Sequence, residues 1–248
     1  IEKKFEKVML ETTVTSLAEE GDGIRARFKD RTGAESDALF SKVLIAVGRR
    51  PNSADLGLET TKVVVNARGF VEVDAQRRTA EPTIFAIGDV AGEPMLAHKA
   101  SHEGMVAADV IAGGKSVFEP YAIPAVVFTD PEIAWCGLTE TQAAKEGREI
   151  KVARFPWAAS GRATTLDRND GVTKVIVDPK TERVLGVGMT GAGAGELIAE
   201  GTLAVEMSAL ASDLKLTIHP HPTLSETLME AADVYFGQSP HLWAPKRG

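Results

Sequence analysis

The sequence of 248 residues contains a single cysteine, Cys136. One cysteine cannot close an internal disulfide, so the fold does not depend on one, and the chain by itself cannot cycle a dithiol. Such cysteine usage suits a reducing compartment, and a cytoplasmic location is expected. No apolar run reaches the roughly 20 residues that a membrane-spanning helix needs; stretches such as residues 125–128 are strand-sized. The first ten residues are charged from Glu2 onward and do not read as a signal peptide. An excess of basic charge is lacking too. The formal net charge is −7, and a surface of that sign repels phosphate backbones, which argues against a nucleic-acid partner. There is no internal repeat, no low-complexity tract and no initiator methionine. The chain starts within a pattern already under way, so a preceding segment is expected.

What is present reads as mixed α and β. Residues 7–17 and 24–29 flank Gly21-Asp22-Gly23, a hairpin signal. Residues 43–47, Val-Leu-Ile-Ala-Val, suggest a strand buried on both faces. Residues 63–66 and 70–74 around Arg68-Gly69 read as a hairpin, and residues 83–87 as another buried strand closed by Gly88-Asp89. A helix is expected over residues 97–112, stopped by Gly113-Gly114. Pro120 and Pro124 mark residues 115–124 as a linker. Beyond it, strands are expected at residues 126–128, 133–136, 150–155, 173–177 and 184–189. Helices are expected at 139–146, with Thr139 as N-cap, and at 196–207 and 224–232. This order points to an α+β domain with an antiparallel sheet.

Several motifs invite chemistry, each with a plainer reading beside it. Gly191, Gly193 and Gly195 lie between a strand and a helix, as in a phosphate loop. A dinucleotide fingerprint wants a further glycine where Glu196 stands, so a glycine turn is the better reading. His98 and His102 share a helix face, but Lys99 occupies the glutamate position of the zincin motif and no third ligand is evident. Cys136, in Ile133-Ala134-Trp135-Cys136-Gly137, reads as a small buried hydrophobe. Asp89, at the end of a buried strand, either accepts hydroxyls of a bound ligand or caps the following turn. The octet His219-Pro220-His221-Pro222-Thr223-Leu224-Ser225-Glu226 sets two imidazoles in a backbone stiffened by two prolines. Glu226 stands at the capping-box position to Thr223, and it can also orient His221 as a general base. A carboxylate has acceptor sites enough for both roles.

Taken together, Ala46-Val47-Gly48-Arg49-Arg50-Pro51-Asn52, Ile84-Phe85-Ala86-Ile87-Gly88-Asp89-Val90, Met95-Leu96-Ala97-His98-Lys99-Ala100 and the octet resemble the pyridine nucleotide–disulfide oxidoreductases. Phe128-Thr129-Asp130-Pro131-Glu132-Ile133-Ala134 and residues 191–196 fit the same family. The resemblance implies that residues 1–50 are the tail of an NAD-binding domain and residues 51–119 the return segment of an FAD domain. Residues 120–248 would be an α+β dimerisation domain with an antiparallel sheet, so the α/β nucleotide domains are present only as remnants. It implies Gly48 beside NAD, and Asp89, Met95, Leu96, Ala97 and His98 beside FAD. His221 would be the catalytic base, oriented by Glu226 and reaching into the partner protomer of a homodimer, with a cis His221-Pro222 bond. The implied activity is oxidation of a dihydrolipoyl thiol pair through a redox-active disulfide and FAD, with reduction of NAD+. The implied partners are lipoyl domains of 2-oxoacid dehydrogenase complexes or of the glycine cleavage system. The FAD glycine loop, the cysteine pair and the NAD fingerprint of the family are missing from these 248 residues, so the piece alone is expected to be inactive. A glutathione- or mercuric-reductase relative and a non-catalytic dimerisation module are the competing readings.

Overall fold

The structure is a computed structural model that describes residues 4–242. The chain forms two compact units, divided between Arg50 and Pro51.

The first unit is an antiparallel sheet of three strands, β1 (Thr12–Glu20), β2 (Gly23–Asp30) and β3 (Glu35–Phe40), in sequence order. The β1–β2 turn follows the expected Gly21-Asp22 signal, although β1 starts only at Thr12. Arg25 ties the strands together by bonding Glu20 and Asp37. Ala26 is the one buried hydrophobic residue among the described residues of this unit. The strand expected over residues 43–47 does not form. The segment has no regular secondary structure, and Leu44, Ile45 and Val47 are 90%, 68% and 92% exposed. An apolar run becomes a strand only where a neighbour supplies ladder partners, and none of β1–β3 pairs with it.

The second unit starts with a segment held by turns. Val65 bridges Val71 around the Arg68-Gly69 turn, as expected. Residues 83–87 are not a strand: Phe85 makes a single bridge to Arg78, and the chain turns away through a 3₁₀ turn, Gly88–Ala91. Helix α1 (Ala97–Ile111) follows. A five-stranded antiparallel sheet comes next, with β4 (Ala125–Val127), β5 (Glu132–Gly137), β6 (Lys151–Pro156), β7 (Val172–Val177) and β8 (Val184–Gly191) in the order β4-β5-β8-β7-β6. Helix α2 (Glu140–Glu146) is capped by the Thr139 hydroxyl, which accepts from Gln142 N–H at 3.1 Å. Helices α3 (Gly161–Thr165), α4 (Ala194–Glu206), α5 (Ala211–Leu216) and α6 (Glu226–Phe236) complete the unit.

The core lies between this sheet and helices α4, α5 and α6. Phe155, Val175, Val177, Val187, Ile198, Leu214, Leu228 and Tyr235 pack there, and Cys136 is among them at 1% exposure. Burying a side chain of this kind contributes about 1.5–3 kcal/mol. Helices α3 and α5 were not legible in the sequence. Gly161 disguises the start of α3, where the Ser160 hydroxyl caps Ala163 N–H. The start of α5 is marked by Asp213, whose carboxylate accepts Leu210 N–H at 2.7 Å. No helix among the described residues is long and apolar enough to cross a membrane.

Candidate functional site

The His219–Glu226 octet is the link between α5 and α6. Its two histidines have different surroundings. The His219 ring is 4% exposed, with Nδ1 2.9 Å from Thr217 O and Nε2 2.8 Å from the Glu200 carboxylate. Both of its nitrogens are engaged, so it anchors the link to α4. The His221 side chain is 75% exposed, and its Nδ1 lies 2.9 Å from Glu226 Oε1. An ionised carboxylate can only accept, so Nδ1 carries the proton and Nε2 is the nitrogen left for chemistry. The His221-Pro222 peptide is cis.

Glu226 makes both contacts that the sequence left open. Its Oε1 faces His221, and its Oε2 accepts Thr223 N–H at 2.7 Å. The capping box is only half made. The Thr223 hydroxyl donates to Pro220 O at 2.7 Å and pairs with Ser225, while Ser225 itself is the N-cap of α6. Burial opposes ionisation of Glu226. The Thr223 bond, the His221 ring and nearby histidine charge together outweigh that cost and hold its carboxyl below the ordinary value.

The link is fixed to the sheet from below by a one-way chain of buried hydrogen bonds. Trp157 Nε1 donates to Thr173 Oγ1 at 2.9 Å, and Thr173 lies 2.7 Å from Thr227 Oγ1. Thr227 donates to Leu224 O at 2.7 Å. All three side chains are at most 1% exposed. A cavity of about 260 Å3 opens beside the pair, lined by His221, Glu226, Thr227, Glu230, Ser160 and His241.

The other expected ligand residues gather around the N-terminus of α1. Asp89, Met95 and Leu96 are half-buried, while Ala97 and His98 are exposed. No side chain caps α1 and no acidic residue stands in its first turn, so backbone donors remain for an electron-rich group. The His98 ring is 2.7 Å from Pro124 O. Gly88 adopts φ +74°, and a Cβ there would come within 3.0 Å of Ala100 Cβ. Beneath this turn lie three side chains that the sequence did not single out. Glu103, fully buried, accepts Gly88 N–H at 2.6 Å and the Arg77 guanidinium at 2.9 Å. Lys99 Nζ reaches Glu103 at 3.1 Å, Gly92 O at 3.0 Å and Gly88 O at 3.3 Å. The sole sequence signal for this cluster was the i, i+4 spacing of Lys99 and Glu103.

Gly48 lies in the first unit, exposed, with φ +117°. The glycine turn at residues 191–196 behaves as a turn. Gly193 is the N-cap of α4, and the Glu132 carboxylate already accepts Gly195 N–H at 2.8 Å where a phosphate would sit. Burial pushes the Cys136 thiol up, although bonds from Thr202 and Val187 partly offset it.

Two family models match the chain. Residues 123–232 match the dimerisation domain of the pyridine nucleotide-disulphide oxidoreductases, and residues 2–104 match the pyridine nucleotide-disulphide oxidoreductase model itself. The chain is 48% identical over 237 residues to a dihydrolipoyl dehydrogenase of Vibrio parahaemolyticus, covering 96% of this chain and 50% of the relative. It is 48% identical over 243 residues to that of Thermus scotoductus, covering 98% and 52%. Among solved structures, LpdA from Mycobacterium tuberculosis superposes with a TM-score of 0.79 at 28% identity, over 89% of this chain and 48% of that one. The HOCl-induced flavoprotein disulfide reductase RclA from Escherichia coli gives 0.78 at 28% identity, over 90% and 50%. The chain thus spans about half the length of the curated relatives it matches. With both matched regions in the family's order and the α+β architecture in place, this chain belongs to the pyridine nucleotide-disulphide oxidoreductases.

Proposed function

We propose that this chain is the part of a dihydrolipoyl dehydrogenase that carries the acid–base histidine. The observation that supports it best is the His221–Glu226 pair, which presents an exposed imidazole with its tautomer fixed at 2.9 Å. Residues 1–50 would close an NAD-binding domain, residues 51–119 would return to an FAD site, and residues 120–248 would form the dimerisation domain.

A free thiol is mostly protonated near neutral pH, and only its thiolate attacks a disulfide well. His221 Nε2 takes the proton from a dihydrolipoyl thiol, and the resulting thiolate attacks a disulfide. A sulfur–sulfur bond forms to the substrate, the disulfide bond breaks, and the leaving sulfur carries the electron pair away. His221 hands that proton to the leaving sulfur and then takes one from the second substrate thiol, whose thiolate attacks the substrate sulfur of the mixed disulfide. The lipoyl ring closes, the mixed disulfide breaks, and its other sulfur leaves with the electron pair. Glu226 holds the ring in place throughout and faces it while it is charged. The attacked disulfide is not made within these 248 residues, whose one cysteine is buried in the core.

The residues around α1 fit FAD. The glycine turn at Gly88 leaves no room for a side chain against α1, Asp89 carries a carboxylate suited to a hydroxylated chain, and Ala97 and His98 bring backbone N–H groups at a helix start that no side chain caps. FAD and NAD supply the two-electron transfer from sulfur to nicotinamide when bound. Asp89, Met95, Leu96, Ala97 and His98 would hold FAD, and Gly48 would lie beside NAD.

The enzyme would work as a homodimer in the cytoplasm, with His221 serving the partner protomer's site. Leu203, Met207, Leu216 and Ile218, 61–95% exposed, give a second copy apolar surface to cover. Lipoyl domains of 2-oxoacid dehydrogenase complexes or of the glycine cleavage system would bring the substrate. Another flavoprotein disulfide reductase is the second reading, favoured by the likeness to RclA. The intact protein, purified and assayed for flavin absorbance and for dihydrolipoamide-dependent NAD+ reduction, tests the proposal. Both signals support it, and a flavin-containing protein that reduces another disulfide while ignoring dihydrolipoamide supports the second reading instead.

A further inference from the structure

The cluster of Lys99, Glu103 and Arg77 has no part in the thiol chemistry, yet it is the most deeply buried set of charges among the described residues. Glu103 is 0% and Lys99 5% exposed. Each donor of the Lys99 ammonium has an acceptor within 3.3 Å: Glu103, Gly92 O and Gly88 O. Glu103 divides its oxygens between the two cations and Gly88 N–H. The two side chains therefore grip the Gly88–Ala91 turn at both ends, through the N–H and C=O of Gly88 and the C=O of Gly92.

The fold alone gives such a grip little reason to exist. Burying ions costs several kcal/mol each before pairing repays it, and apolar replacements of buried ion pairs are often as stable or more so. The turn is also outside any sheet. Its flanks make the Arg78–Phe85 bridge and the bond from Val71 N–H to Val90 O at 2.8 Å. The cluster thus holds the backbone that carries Asp89 through Gly88 N–H, Gly88 O and Gly92 O.

We propose that Lys99 and Glu103 are positioning residues that fix the Gly88–Ala91 turn, and with it Asp89, for the hydroxylated chain of the flavin. The inference rests on the FAD reading given above. Lys99→Met in the intact holoenzyme is the informative variant, because it leaves Arg77 and Glu103 as a balanced pair. Loss of a charged hydrogen-bond set of this kind corresponds to a change in affinity of about 10-fold or more. The expected result is a folded dimer with unchanged circular dichroism, FAD released ~10-fold faster on dilution, and a shifted flavin absorption band. A core variant such as Val175→Ala, which lowers the melting temperature, should leave the release rate and the band unchanged. If Lys99→Met does not fold, Lys99→Arg is measured by the same criteria, since a guanidinium cannot place one compact charge between two carbonyls. A folded variant that holds FAD as tightly as the parent, with the same spectrum, overturns the proposal. A parent protein without flavin sinks the cofactor reading first and this inference with it.

Discussion

Thr173 Oγ1 and Thr227 Oγ1 lie 2.7 Å apart in the interior, joining the central sheet to the first turn of α6 one residue after Glu226. The position of the His221–Glu226 pair is thus set by a buried hydroxyl chain that starts at Trp157 and ends on the Leu224 carbonyl.

Thr227→Val keeps the shape and removes the hydroxyl. It leaves the Thr173 donor and the Leu224 acceptor unmatched in the core, which costs about 1–3 kcal/mol. Urea unfolding should show that loss, together with a reduced rate of thiol oxidation in the intact protein. An unchanged midpoint would mean that the chain of hydroxyls does not anchor the link.

Gly191→Ala should be more damaging. A Cβ at Gly191 would sit 2.2 Å from the Trp157 ring, which is fully buried, and the backbone there adopts φ +148°. Neither the ring nor the backbone can yield cheaply, so a loss of about 2 kcal/mol or more is expected. Thermal melting of the variant checks it.

Cys136 should behave as core. Its thiol is held above the ordinary value by burial, so the thiolate is scarce at neutral pH. An aromatic disulfide reagent should label it slowly in the native protein and at once in denaturant. Rapid native labelling would contradict its placement.

The depressed carboxyl of Glu226 gives a signed pH dependence. A group whose folded-state value lies below its unfolded value stabilises the fold above the ordinary carboxylate range. That contribution disappears as the pH falls through the lowered folded value. Acid unfolding of Glu226→Gln should therefore show a shallower loss of stability below about pH 4 than the parent. Identical acid slopes would remove Glu226 from the set of linked groups.

Much of the site was legible because its parts are local in sequence. His221, Thr223 and Glu226 lie within six residues, and proline stiffness and cap spacing already suggested both bonds that Glu226 makes. The strands of the large sheet were legible because their apolar runs find ladder partners within the same unit. Residues 43–47 misled for the opposite reason: apolar composition shows that a segment would pair, not that a partner is at hand. The Arg77–Glu103 bond spans 26 residues, and a lysine and a glutamate on a helix look like a solvated face until packing closes over them. Helix α5 is six residues long and was hidden for want of a periodic stripe.

The central claim is that His221 Nε2 takes the substrate proton. Steady-state oxidation of dihydrolipoamide by His221→Gln, measured in the intact protein with its flavin content, tests it most directly. The account predicts bound FAD at the parent level and a rate reduced about 10²–10⁴-fold. Turnover close to that of the parent would contradict it.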